Sequence, residues 1–520
     1  MAILGPFKVN RGYNAKADAF TIPPNQALTF QDLYVDYDII KTNPGNFQLR
    51  GAAANPMLGM TFWVDPNNIL STNDAGTIVI IDNTSVATLK NAPFIAGADS
   101  QTLTFTDRTG ALTLTKVVGV SGQPQIYSFD SMNGMLVGTG GSFSSIVPFK
   151  MTAYNANGAA LGGSPPSADA IKVVNNFMFL GRNLSGTATL SRVYWSNVGD
   201  TETWGASNYV DFRINDGDMI TALGSIGQDL IIFKNRSIGR LYTTPPSTAV
   251  SVTLGPLVTL STTIGCCGPT AVDSLPDGTL VFMGSDLHLY NFDGITFQDL
   301  TDIYEGMPNV QNFISPDGTS TTVTSNKAMT TIYVRYYPTK KQIWIVFGTI
   351  GTKTLIFDMR SKSWSVFKGT STGTALSVMT AVGPLRTSSS PYPYLLVTGS
   401  SIGGVHLQDQ QGTSANMGAT FQWAMTFSGE SADFVPRSIL LPITGTNSSS
   451  SIDVSFGFDG TLGGTNTTLS GVCPILNRIT IPLKEDQAQK KPINFMVQIQ
   501  QNGASPMYLH PFYLSDEVMS

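Results

Sequence analysis

Apolar residues along this chain gather in short runs, many ending in an aromatic, and each run is closed by Gly, Asn, Asp or Pro. The stretch DLIIFKNRSIGRLY, from Asp229 to Tyr242, shows the form: an apolar run, a polar break, then a second run. The same pattern, in different residues, starts at Asn133 (NGMLVGTGGSFSSIVPF), Asn175 (NNFMFLGRNLSGTATLSRVYW) and Gly227. It returns at Asp277 (DGTLVFMGSDLHLYNFDG), Lys341 (KQIWIVFGTIGTKTLIFD) and Tyr392 (YPYLLVTGSSIGGVHLQD). Windows with apolar residues at helical spacing are nearly absent. Runs such as Thr77 to Asp82 (TIVIID), Gln101 to Asp107 (QTLTFTD), Ala111 to Val120 and Thr331 to Pro338 (TIYVRYYP) combine β-branched and aromatic residues between turn formers, which is the signature of strands.

The pattern therefore predicts an all-β chain, and its period narrows the architecture. The hairpins recur at roughly 40 to 65 residues, close to the roughly 40–50 residues of a four-stranded propeller blade. A sheet apolar on both faces needs a neighbour on each, and radial packing supplies both. The expectation is a β-propeller of about six or more blades, each hairpin forming the central strand pair of a blade. A sandwich built of many hairpins is the alternative. In the tail FDMRSKSWSVF, Asp358 is expected to start a turn and Trp364 to cover the blade's outer edge.

Three segments fall outside the array. Residues 1–88 read as an arm and β segment, 89–410 as the propeller, and 411–520 as a C-terminal β segment or blade-completing domain. The Gly/Ser/Pro-rich stretch from Tyr154 to Ala170, together with RTSSSPYP from Arg386 to Pro393, is expected as exposed loop outside the propeller core.

Composition sharpens this picture. Only 12% of residues are charged while 51 are Gly, the profile of short strands and tight turns. Disorder would need low hydrophobicity and high net charge. The formal net charge of -5 argues against a whole-surface grip on nucleic acid. The charge cluster KEDQAQKK, Lys484 to Lys491, mixes signs and reads as a solvated loop. Cys266, Cys267 and Cys473 make no disulfide framework. No apolar run approaches the roughly 18 residues of a membrane helix, and the start lacks a secretory pattern. The expectation is a soluble chain folding in a cytoplasm.

The opening GYNAKADAFTIPPNQALTFQDLYVDYDIIKTNPG, Gly12 to Gly45, leads from a Gly-x-Asn start through PPNQAL to LYVD and then a basic residue before NPG. With Arg192 to Tyr242 and VFMGSDLHLYNFDG, it resembles the nozzle, or packaged-DNA stabilisation, proteins of short-tailed bacteriophages, propeller-bearing components of the tail tip. The likeness spans roughly residues 5 to 300, and Asp32 stands where Asn is more frequent. It implies a structural virion protein located in the tail and assembled in the host cytoplasm. It further implies a homo-oligomeric ring, a hexamer, contacting a tail adaptor and tail fibres or tailspikes. Genomic DNA would pass through the lumen without tight binding, and there would be no membrane insertion.

An enzyme or lectin is the competing class. TNDAGTIV, Thr72 to Val79, approaches the Asp-containing turn of sialidase-like propellers, but Val79 stands where an aromatic is expected. A carbohydrate-active propeller working at the host cell surface is thus the alternative function. Glu202, Asp216, Asp218 and Asp229 lie near turns, where Asp commonly bonds backbone amides two residues on. His288, His406 and His510 lack Cys or His at ligand spacing, and His288 and His406 occupy equivalent places in two hairpins, which favours packing. GTIGTKT, Gly348 to Thr354, lacks phosphate-loop spacing. Trp195, Trp204 and Tyr209 could stack on a sugar or base, although capping a blade is the stronger reading. No catalytic, metal or cofactor constellation emerges, so the sequence predicts a non-enzyme.

Overall fold

A computed structural model describes residues 3–9, 11–14, 23–43, 45–50, 57–65, 77–82, 86–90, 106–107, 127–140, 148–153, 156–181, 189–243, 254–303, 332–347, 354–367, 376–382, 395–400, 404–410, 419–426, 434–444, 451–458, 461–470, 476–481, 494–502 and 507–516. Nearly all regular structure among them is strand. The one helix is the single turn Leu300–Ile303.

Seven four-stranded antiparallel units follow one another among the described residues. Their innermost strands are Met57–Trp63, Tyr127–Met132, Ala170–Val174, Ile220–Ile226, Val272–Ser274, Tyr333–Tyr337 and Leu376–Val382. Each inner strand lies beside the next, and the last lies against the first, so the ring closes as a β-propeller. The six hairpins legible in the sequence are the central strand pairs of the second to seventh blades. Tight turns lead from the inner strand into two of them. Asn133 and Gly134, at φ 51 and 76, and Asn175 and Asn176, at φ 51 and 62, are two-residue loops with both centres left-handed. That is the turn whose twist matches flanking strands.

The blades hold together through their faces. Central strands such as Phe177–Gly181 and Gln342–Val346 are buried at every position. Apolar clusters straddle the seams: Trp63, Val79, Leu136 and Phe149 join the first two blades, while Phe179, Val193, Leu223 and Ile232 join the third and fourth. Each face buried at about 25 cal/mol per Å² is available only when a neighbour is present.

Three expectations are corrected. The boundary expected at residues 88 and 89 falls inside strand Val86–Lys90, the third strand of a first blade that begins at Met57. The seventh blade takes its outer strand, Gly45–Arg50, from the arm, with His406 opposite Gln48 and Leu407 opposite Phe47. Trp364 does not cover an outer edge. Its strand, Ser363–Phe367, is flanked in parallel by Thr29–Gln31, with Gln31 opposite Val366, because a fully buried edge must satisfy its backbone groups. Asp358 does start the expected turn, accepting the amides of Arg360 and Ser361 at 2.9 and 3.3 Å.

The third correction concerns Tyr154 to Ala170. Within it Ala159–Ala160 is the outer strand of the second blade, and Leu161 and Ala168 are buried in the seam to the third. Thr139 and Ser128 donate hydroxyls to the carbonyls of Ala168 and Asp169. Gly163, at φ 74, lies so close to the Glu202 carbonyl that a Cβ would overlap it. Ala159, Ala160, Gly163 and Ser164 are exposed as expected, but Leu161, Pro165 and Ala168 to Ala170 are buried, so the stretch belongs in part to the propeller core.

The arm and the C-terminal strands build a second layered body. One sheet runs Ile3–Phe7, Phe512–Ser515, Ser438–Thr444, Tyr508–Leu509, Ile39–Thr42, Leu33–Asp36, with Leu476–Thr480 also on Ser438–Thr444. The other continues from the sixth blade through Thr29–Gln31 to Thr420–Thr426, Asn494–Asn502, Ser451–Phe458 and Thr461–Ser470. Phe30, Phe421, Trp423, Ile439, Val454, Phe495 and Phe512 fill the space between them. The Gly-x-Asn start of the arm seals the junction: Gly12, at φ 65, lies so close to the Trp364 carbonyl that a Cβ would overlap it, and the Tyr13 amide donates to that carbonyl.

Candidate functional site

Inner strands of a propeller gather around its axis. Here they enclose a cavity of about 170 Å³, to which every inner strand contributes, from Met60 through Phe129, Lys172, Gly224 and Asp273 to Arg335, with Thr380 on the last. In Tyr333–Tyr337 Arg335 is half-buried while the other four positions are buried.

Three ionised side chains line this cavity, and each is fixed differently. Lys172 pairs with Asp130 at 3.2 Å, and Asp130 also accepts the Val173 amide at 2.8 Å. Asp273 accepts the Tyr336 amide at 2.8 Å through Oδ2. Arg335 donates from Nη1 to the carbonyls of Thr270, Val272 and Val334 at 3.1, 3.3 and 2.7 Å, and its guanidinium lies 5.4 Å from the Tyr333 ring centre. Tyr127, also on the wall, has its phenol pushed up to about 12 by burial, so it stays a neutral hydroxyl.

The carboxylates singled out in the sequence lie apart from this axis and are already engaged. Glu202 takes Lys150 at 2.7 Å and the Gly162 amide, which hold its pKa below the usual value. Asp216 sits against the fully buried Lys234 at 2.7 Å. Burial pushes its carboxyl up, but Lys234 and the Asp218 amide outweigh that and leave it low. Asp218 accepts the amides of Asn235 and Arg236, and Asp229 accepts Arg240 at 2.5 Å. These are turn and strand fastenings, the role Asp residues near turns commonly have.

The aromatic trio separates. Trp195 is buried in the seam of the third and fourth blades, and Trp204 donates its indole N–H to the Thr201 carbonyl while packing near the second. Tyr209 is 39% exposed, with the Arg192 guanidinium 3.7 Å from its ring centre and Arg192 bound to Asp211 by both ends. The histidines are equally dispersed. His288 meets Asp299 at 2.6 Å, His510 meets Thr444 at 3.2 Å, and His406 is buried in the seventh blade. Cys266 and Cys267 are buried thiols. Among the described residues no group of three or more His, Cys, Asp or Glu is placed to hold a metal, and no helix is long and apolar enough to cross a membrane. Residues 72–76 of the sialidase-like turn, 348–353 of GTIGTKT, Arg386 to Pro393, Cys473 and Lys484 to Lys491 lie outside the described residues.

No family model matches the chain, and no curated protein matches it. Among solved structures, the WD40 domain of Neurospora crassa Pan2 is similar at 8% identity and a TM-score of 0.39, covering 71% of this chain and 96% of that one. The N-terminal domain of Nup159 matches at 10% identity and 0.39, covering 74% and 99%. Sqt1 of Saccharomyces cerevisiae matches at 9% identity and 0.39, covering 71% and 99%.

Proposed function

We propose that this chain is a structural virion protein, one subunit of a ring at the distal end of a short bacteriophage tail. DNA would pass through the centre of that ring, not through the narrow axial cavity of a single propeller. The reading rests on the resemblance of the arm and the third to fifth blades. It is supported by what the resembling arm residues do here: Gly12 seats on the Trp364 carbonyl, Thr29–Gln31 bridges two sheets, and Asp32 is buried in a left-handed turn at φ 56. A rigid joint between propeller and second body suits a part that must transmit load between neighbours. Closed cyclic symmetry suits a repeated heterologous interface, and six copies are the expected number.

The test is mass spectrometry of purified particles followed by symmetry averaging of the tail tip. Six propellers around the axis are expected. Absence of the chain from particles, or one copy on the axis, overturns the proposal.

A carbohydrate-binding propeller is the second reading, favoured by the exposed Tyr209 ring beside Arg192. It requires glycan binding that Tyr209→Ala abolishes, and a glycan array shows whether that happens.

A further inference from the structure

We propose that the axial cavity of the propeller is a binding site for a small oxyanion, a phosphate or a short carboxylate, received by the guanidinium of Arg335. The inference is independent of the virion reading, and either can fail alone.

A guanidinium has five N–H donors in a rigid fork. All three hydrogen bonds of Arg335 leave from one nitrogen, Nη1, and end on neutral carbonyls. Its charge has no carboxylate within ion-pair distance among the described residues. Nε and Nη2, the edge that matches two oxygens of a carboxylate or phosphate, donate to no protein group there. A half-buried cation without a counter-charge is unfavourable, and an anion at that edge relieves it.

The surroundings narrow the occupant. A cavity of about 170 Å³ is well below the roughly 300 Å³ of the smallest drug-sized pockets, yet has room for a few heavy atoms. Lys172 adds positive potential although Asp130 partly neutralises it. Asp273, on the same wall, disfavours a densely charged guest and offers an acceptor to a ligand hydroxyl. Hydrogen phosphate and short hydroxy acids meet these conditions. Polyphosphates do not, and a single cavity carboxylate is too few for a divalent cation.

The experiment measures thermal unfolding of the full chain in inorganic phosphate and, separately, in lactate, against chloride at matched ionic strength. A saturable rise over chloride is expected for one or both, phosphate alone identifying a phosphate site and lactate alone a carboxylate site. In Arg335→Gln the midpoint concentration should rise roughly tenfold or more, as for loss of one charge-assisted pair. No rise over chloride in the wild type, or unchanged affinity in a folded Arg335→Gln, overturns the proposal. Should that variant fail to fold, wild-type crystals soaked in selenate decide. Anomalous density beside Arg335 supports the site, and water alone, or selenate only elsewhere, refutes it.

Discussion

Lys234 is the residue on which burial and charge meet most sharply. Its side chain is wholly buried, its ammonium bound to Asp216 and to the Arg213 carbonyl at 2.7 and 2.9 Å, with the Phe212 ring beside it. Removing one partner of such a pair leaves the other charge without its compensation. Lys234→Met should therefore lower unfolding free energy by about 3 kcal/mol, read by urea denaturation, and Asp216→Asn added to it should cost little more. His406 makes a different prediction. Burial holds its imidazole down to about 4, against 6.5 ordinarily, and among the described residues Nδ1 has no hydrogen-bond partner. The folded state thus keeps it neutral while the unfolded chain protonates first. Its contribution is intact above pH 6.5 and is lost as pH falls toward 4, by up to about 3 kcal/mol. His406→Gln should flatten the stability profile over that window. The carboxylates held low by Lys234 and Lys150 lose their contribution only at more acidic pH, as it falls through their depressed values.

At the scale of elements, the contrast between hairpins and connectors is instructive. Leu161 and Ala168 lie in a stretch whose Gly, Ser and Pro content signals a loop, yet both are buried between blades. Leu161→Ala should cost about 2–4 kcal/mol, measurable as a shift in denaturation midpoint, whereas an idle surface loop would show almost none. The hairpins themselves were legible because their information is local: adjacent apolar runs set strands, and Asn133-Gly134 and Asn175-Asn176 set the turns that lead into two of them. The pairing of Gly45–Arg50 with Val405–Gln410 was not, since no local signal joins segments so far apart. Nor was the first blade, whose strands Thr77–Asp82 and Val86–Lys90 were read with the arm. The cavity was hidden for a related reason. In TIYVRYYP, Arg335 is a lone charge in an aromatic run, and only ring closure puts it on the wall of a cavity shared with Lys172 and Asp273.

For the whole molecule, the two bodies share a sheet rather than a linker. The path from the sixth blade through Thr29–Gln31 to Thr420–Thr426 makes relative motion break backbone hydrogen bonds, including that from the Asp32 amide to the Val366 carbonyl at 2.7 Å. Arg360 reinforces the joint by reaching Asp36 at 3.6 Å as well as Asp358 at 3.2 Å. The strand from the arm that closes the seventh blade has a consequence in time. Gly45–Arg50 leaves the ribosome first, yet its partner Val405–Gln410 is made only after every other blade. Synthesis proceeds at about 5–20 residues per second, so the strand waits tens of seconds with its pairing edge unfilled. Closing the seventh blade is therefore a late step of high contact order. A nascent chain stalled before residue 405 should remain protease-sensitive at its N-terminal segment, and release of the complete chain should protect it.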